Sequence, residues 1–222
     1  MGHAAEAVEL FTTAKGQHAR QIAEGLHRQN LDRQNEERRI VEQAAKMAQD
    51  MGMTSPDRRA IILMHESWHP GVVGIVCSRL VERFARPTIL LCHQEGKLKG
   101  SGRSIPRFNL HSGLDACAGH LTTYGGHDMA AGLSMAPENY EAFANAFSDH
   151  AASLLTVEDL INELRVDTHA LTNELTPASI GEIDKLRPFG QGNPRVRLLL
   201  RSVRIDRDPG VFGARGKHLS LH

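Results

Sequence analysis

Two apolar runs too short for helices, AIILM (60–64) and TILLC (88–92), bracket GVVGIVCSRLVERFA (71–85), whose apolar positions recur at helical spacing. Pro70 opens the middle segment and Pro87 precedes the second run. A buried strand, a crossover helix and a second buried strand satisfy both periods, because short apolar runs bounded by breakers fit strands covered on both faces. The pattern continues. KLKGSGRS (97–104) reads as a Gly-rich strand, and LHSGLDACAGHLTTY (110–124) as a helix stopping at Gly125-Gly126. MAAGLSM (129–135) reads as a short strand, and PENYEAFANAFSDHAASLL (137–155) as a helix with proline at its start. The expected order is β-α-β-β-α-β-α, an α/β layer.

Residues 16–50 hold no proline, many charges and few apolar residues (Ile22, Leu26, Leu31, Ile40, Val41), which predicts one long, mostly solvated connecting helix. Before it, MGHAAEAVEL is amphipathic from its second or third residue with no leader, so the chain is expected to be an excised piece of something longer. From 156 onward the texture changes again. LRVDTHA reads as a strand, TPASIGEIDKL as a helix capped by Thr176 with Pro177 at its first position, and PFGQGNP as a turn-rich loop. RVRLLLRSVRI and GKHLSLH alternate like half-buried strands, as in a small β-barrel left unfinished. Three parts are expected: 1–53, 54–155 and 156–222.

With 26 basic and 26 acidic residues, total charge gives no argument for a polyanionic partner. Its distribution does. Residues 187–222 carry eight Lys or Arg against two acids, whereas 151–186 carry seven acids against two basic residues. Three widely spaced cysteines exclude a disulfide framework and a four-thiolate zinc site, and point to a reducing cytosol. No run of apolar residues is long enough for a membrane span.

MHESWHPG (64–71) contains the His-Glu-x-x-His spacing of zinc peptidases. Zinc binding there requires both histidines one turn apart on a single helix. Pro70 directly after His69 pushes that histidine toward extended backbone, and the preceding residues are strand-like. The stretch is therefore a strand-to-helix junction. In open α/β layers such junctions border ligands, and Gly71 and Gly74 would let a ligand or another backbone approach.

KGSGRSIP (99–106) gathers two glycines, two hydroxyls, Lys99 and Arg103. Arg103 can fork onto a phosphate while Ser101 and Ser104 donate to its remaining oxygens. A glycine-bulged edge strand with a surface arginine is the plainer alternative. In YGGHDMAAGLSM (124–135), Gly125 and Gly126 would expose amides and His127 would offer an imidazole to a phosphoryl oxygen. A helix stop beside a surface histidine reads the same residues without function.

SWHPGVVGIVCSRLVERFARPTILL, GSGRSIPRFNL and TTYGGHDMAAGLSM together resemble the DHHA1 domain of the RecJ family of single-stranded-DNA-specific 5′ to 3′ exonucleases. MGHAAEAVELFTT resembles the end of that family's catalytic DHH domain, residues 16–50 its interdomain helix, and LRPFGQGNP with GKHLSLH its OB-fold domain, here truncated. The resemblance implies work in DNA repair and recombination in the cytoplasm, on single-stranded DNA, beside single-strand-binding protein and recombination helicases. It also implies Mn²⁺ or Mg²⁺ in the DHH domain of the full-length protein. No Asp-His-His triplet occurs in the 222 residues, so no metal and no hydrolysis are expected of this stretch alone.

By the same resemblance Arg103, with Ser101 or Ser104, would grip a terminal 5′-phosphate. Gly125, Gly126 and His127 would face the scissile phosphate, with His127 in the catalytic role, and His69 would border the cleft. Trp68 is expected in the core rather than under a base. In the OB-like part, Arg187, Arg195, Arg197, Arg201, Arg204, Arg207 and Lys217 would hold the strand mainly by charge, with Phe189 and Phe212 as the available aromatics. The alternatives are a DHH/DHHA1 phosphoesterase acting on short oligonucleotides and a stand-alone nucleic-acid-binding module.

Overall fold

The computed structural model describes residues 4–213, 216 and 218–220. The chain divides into two compact units, Met1–Asn162 and Glu163–His222. The first unit opens with helix α1 (Ala4–Thr12) and the long helix α2 (Gly16–Asp50). The proline-free run expected as one helix is one helix, and it buries Ile40, Ala44, Ala45 and Ala48 near its C-terminal end.

Next come β1 (Ile61–Met64), α3 (Pro70–Phe84), β2 (Thr88–Gln94) and β3 (Lys97–Arg103). After them follow α4 (Leu110–Asp115), β4 (Thr123–His127), β5 (Ala130–Met135) and α5 (Tyr140–Leu154). The five strands form one sheet in the order β1-β2-β3-β5-β4, with only β1 and β2 parallel. The β1-α3-β2 crossover is the one that the two apolar runs require.

One expected element is corrected. The helix read over 110–124 ends at Asp115, and 123–127 is instead a strand, with Thr122 N donating to Ser134 O and Thr123 Oγ1 bonded to Ser134 Oγ. Cross-strand pairing with β5 overrides the local helical spacing. Gly125 and Gly126 thus lie within an edge strand, not after a helix stop.

Side chains alternate between two cores. On one face Ile62, Ile89, Leu91, Leu98 and Leu133 pack against Leu110, Phe143 and Phe147 of α4 and α5. On the other, Ile61, Leu63, Leu90 and Cys92 pack against α3 and the buried end of α2. Phe143 and Phe147 are fully buried, each stabilising by about 1.5–3 kcal/mol on transfer from water. Arg86 closes the loop before β1: it is buried and donates to the carbonyls of Thr54, Ser55, Arg58 and Phe84.

The second unit holds short pieces: β6 (Thr168–His169) parallel to β7 (Leu198–Leu199), α6 (Pro177–Asp184), and β8 (Gly210–Phe212) antiparallel to β9 (His218–Ser220). Thr176 caps α6 as its sequence predicts, accepting from Ser179 N at 3.2 Å. RVRLLLRSVRI contributes only Leu198–Leu199 to a strand, and the two small sheets among the described residues are not closed into a barrel.

Candidate functional site

β3, β5 and β4 lie side by side, and their register decides which side chains meet. Arg103 pairs with Ala130, and Ala130 pairs on its other side with His127. One step along, Ser101 pairs with Gly132 and Gly132 with Gly125. Paired residues of adjacent strands face the same way, so Arg103, His127 and Ser101 share one face. At about 4.8 Å between strands, the Arg103 and His127 backbones stand about 10 Å apart with only the methyl of Ala130 between them. Two side chains of that length can reach one tetrahedral anion.

The shared face is the one turned to α3, since a Cβ built on Gly74 would stand 3.1 Å from Arg103 Nη2 and 3.4 Å from Ser101 Oγ. Gly125, His127 and Gly132 are exposed there; Ser101 and Arg103 are half-buried. Arg103 donates one bond, Nη1 to Gly102 O at 2.8 Å, and has no ion-pair partner among the described residues. Beneath it, Cys77 Sγ donates to Ser101 O at 3.1 Å, and full burial pushes that thiol up to about 12.

The turn carrying His127 is fastened from outside. Leu110 N donates to Asp128 O at 2.9 Å, Ser104 N to Met129 O at 3.1 Å, and Asn109 Nδ2 to the Asp128 carboxylate at 2.9 Å. Asn109 also caps α4, accepting from Ser112 N at 3.0 Å. Neither Asn109 nor Asp128 is among the site residues expected from the sequence. An asparagine immediately before LHSGL is an N-cap signal that could have found the first. Gly126 has φ +150, and a Cβ there would fall 2.3 Å from Ala130 O, so the strand accepts only glycine at that position.

Ser104 leaves the expected set. It is buried, its hydroxyl donates to Phe108 O at 2.7 Å, and strand alternation puts it opposite to Ser101 and Arg103. His69 is the N-cap of α3, accepting at Nδ1 from Gly71 N at 3.0 Å. Together with Gln29, Asp32, Arg33 and Glu36 it lines a cavity of about 190 Å³ beside α2. Trp68 is 2% exposed, donates to Gln43 Oε1 at 3.1 Å and stacks on His65, so it belongs to the core. His65 is held by Gln43 and Ser67, partners different from those of His69, and the His-Glu-x-x-His spacing brings no shared metal geometry. Among the described residues no three His, Cys, Asp or Glu are grouped to hold a metal ion.

In the second unit Arg195 and Arg197 precede β7 and Arg201 and Arg204 follow it, all exposed. Arg204 pairs with Asp206 at 3.2 Å and Arg187 with Asp184 at 2.9 Å, so these two guanidinium groups are partly neutralised. Arg187 also lies over the Phe189 ring, 5.9 Å from its centroid, and Phe212 is exposed. Lys217 lies outside the described residues.

The DHHA1 domain family matches residues 57–153, the five-stranded layer and its helices, and the RecJ OB domain family matches residues 166–222. The chain belongs to the RecJ family. It is 35% identical over 217 residues to the single-stranded-DNA-specific exonuclease RecJ of Bacillus subtilis, covering 97% of this chain and 27% of that protein. RecJ of Thermus thermophilus is 31% identical over 200 residues, covering 90% of this chain and 28% of the relative. The crystal structure of Thermus thermophilus RecJ with Mn²⁺ superposes at TM-score 0.83 and 30% identity, covering 99% of this chain and 31% of that one. The same RecJ with Mg²⁺ gives TM-score 0.75 and 31% identity over 87% of this chain and 29% of that one. This RecJ-family chain therefore spans less than a third of those two relatives.

Proposed function

We propose that the chain is the substrate-holding region of a single-stranded-DNA-specific 5′ to 3′ exonuclease acting in DNA repair and recombination in the cytoplasm. Arg103 and Ser101 take the terminal 5′-phosphate, and the edge strand Gly125-Gly126-His127 faces the phosphate to be cleaved. The observation carrying this reading is the shared row Arg103–Ala130–His127, which sets a guanidinium and an imidazole on either side of a bare floor. A guanidinium without a carboxylate partner matches phosphate geometry with two parallel donors. An imidazole donor at the opposite end stabilises charge that grows on a phosphoryl oxygen.

Mn²⁺ or Mg²⁺ belongs, on this reading, to the part of the full-length protein that carries the Asp-His-His triplet. Among the described residues no three His, Cys, Asp or Glu are grouped to hold a metal ion, and on this reading the activation of water lies with that other part. The chain alone then binds without hydrolysing. The second unit adds a salt-sensitive grip on the strand through Arg195, Arg197, Arg201 and Arg204, with Lys217 as a further cation. Single-strand-binding protein and recombination helicases are the partners that accompany this role. No helix among the described residues is long and apolar enough to cross a membrane.

The test compares 5′-phosphorylated and 5′-hydroxyl single-stranded oligonucleotides of one sequence for binding to the purified chain. A preference for the phosphorylated strand that disappears in Arg103→Ala is the expected result. Equal affinity of the unaltered chain for both strands would remove the 5′-phosphate role.

A further inference from the structure

We infer that Gly74 is a positioning residue for Arg103: the missing side chain at this point of α3 opens the space in which the guanidinium is aimed. The inference rests on the reading of Arg103 as the phosphate ligand and adds what sets its direction. Gly74 lies inside a fifteen-residue helix, where glycine is less favourable than alanine because it gives up more backbone freedom on folding. Nothing in the backbone requires glycine, since its φ is not in the left-handed region. Two other helical glycines, Gly25 and Gly181, would carry a Cβ into open space. Gly74 differs from both. A Cβ there would meet Arg103 Nη2 at 3.1 Å, Ser101 Oγ at 3.4 Å and Ser101 Cβ at 3.6 Å.

All three contacts are with the two side chains assigned to the phosphate. The strand itself is fixed independently of Gly74, by pairing with β2 and β5 on its two sides and by the Cys77 bond to Ser101 O. A methyl group at 74 therefore acts on the mobile end of Arg103, not on the position of its backbone. Arg103 is held by one bond to Gly102 O, so its guanidinium yields by a few tenths of an ångström. A forked pair of hydrogen bonds is sensitive to that displacement, because N–H to oxygen contacts weaken as distance and angle leave their narrow range. The sequence assigned Gly74 to close approach by a ligand or a backbone. The approaching group in the structure is the arginine side chain.

The two consequences of Gly74→Ala thus have opposite signs. The fold gains, and phosphate recognition loses. A purely structural defect would lower both together.

The experiment measures binding of 5′-phosphorylated and 5′-hydroxyl single-stranded oligonucleotides to four forms of the chain: unaltered, Gly74→Ala, Arg103→Ala, and the double variant. Thermal melting is followed on each, and Gly74→Leu is added as a larger probe. The expected result is a melting temperature for Gly74→Ala at or above that of the unaltered chain, with the preference for the phosphorylated strand reduced at least fivefold. In the Arg103→Ala background the second substitution should change nothing further. If Arg103→Ala abolishes the preference while Gly74→Ala and a folded Gly74→Leu both keep it, the positioning role is overturned and the phosphate reading stands. If Arg103→Ala also leaves the preference intact, the phosphate reading fails and this inference fails with it.

Discussion

Arg103 and His127 stand in one cross-strand row, each paired with Ala130 from its own side. They are separated by 24 positions in sequence, with α4 between them, and belong to strands that do not touch. The row exists because β5 inserts between β3 and β4. Face sharing follows from the pairing alone, whatever rotamers the side chains adopt. The proposed chemistry depends on that row more than on any single residue.

Replacing Arg103 by alanine should weaken binding of a 5′-phosphorylated strand about tenfold or more, because a hydrogen bond to a charged group contributes about 1.5–3 kcal/mol. Arg103→Lys should recover part of the loss, keeping the charge without the planar fork. Thermal melting should change little, as the side chain has no ion pair among the described residues and one bond to its own strand. Titration of both oligonucleotides against each variant checks this. A loss shared equally by the 5′-hydroxyl strand would count against a phosphate contact.

On the proposed function, His127 calls for a kinetic measurement in the full-length protein. Its exposed imidazole has no hydrogen bond to the described residues, so His127→Ala should leave folding and strand affinity near their starting values. Turnover should fall by about 100-fold or more if a donor to the phosphoryl oxygen is lost. Gly126→Ala should behave differently. Its φ of +150 and the close Ala130 carbonyl predict a cost of about 1–3 kcal/mol or more, visible as a lower melting temperature and loss of the β4–β5 pairing. Amide exchange at Ala130 and Gly132 would report the second effect.

Trp68 is the sole tryptophan, which makes its placement directly measurable. Buried and bonded to Gln43, it should emit at short wavelength and should not be quenched by single-stranded DNA. Gln43→Ala should destabilise the chain by about 1–3 kcal/mol, because it leaves the indole N–H without an acceptor and releases His65 as well. Strong quenching by DNA would return Trp68 to the binding surface.

Elements with strong local signals were legible in the sequence. α2 followed from a proline-free run with a narrow apolar stripe, and α6 from Thr176-Pro177. The edge strand β4 was not, because a glycine pair after helical spacing looks like a helix stop until pairing with Ala130–Met135 is known. That pairing is a long-range fact with no local pattern. Within the candidate site, residue types pointed to Arg103 and His127, but their common row depends on strand order. Ser104 is the opposite case: it directly follows β3 and continues its pairing through Ser104 N to Met129 O, so a period of two over 97–104 was sufficient to separate it from Ser101 and Arg103. In the second unit, alternation over 195–205 suggested a full strand, whereas only Leu198–Leu199 forms one, with Arg197 O accepting from Asp167 N just before it. Alternating residues form a strand only where a neighbouring strand accepts their amides, and here Thr168–His169 supplies two residues.

Alkaline pH should destabilise the first unit in a defined window. Burial pushes Cys77 up to about 12 and Cys117 up to about 11, and burial with Glu141 nearby pushes Tyr140 up to about 12. In the unfolded chain thiols titrate at about 8.5 and phenols at about 10. Between those values and the folded ones the native state binds more protons than the unfolded state, so stability falls as pH rises. The contribution is fully present below about pH 8.5 and is lost progressively as pH rises through about 11 to 12. Denaturant melts at intervals from pH 7 to pH 11 should therefore be level at first and then decline, and Cys77→Ala should flatten part of the decline. Ionising Cys77 also removes its bond to Ser101 O, directly beneath the proposed phosphate cradle. Thiol reagents at pH 8 should meanwhile leave Cys77 and Cys117 unmodified in the folded chain and label them on unfolding; rapid labelling of the native protein would contradict their burial.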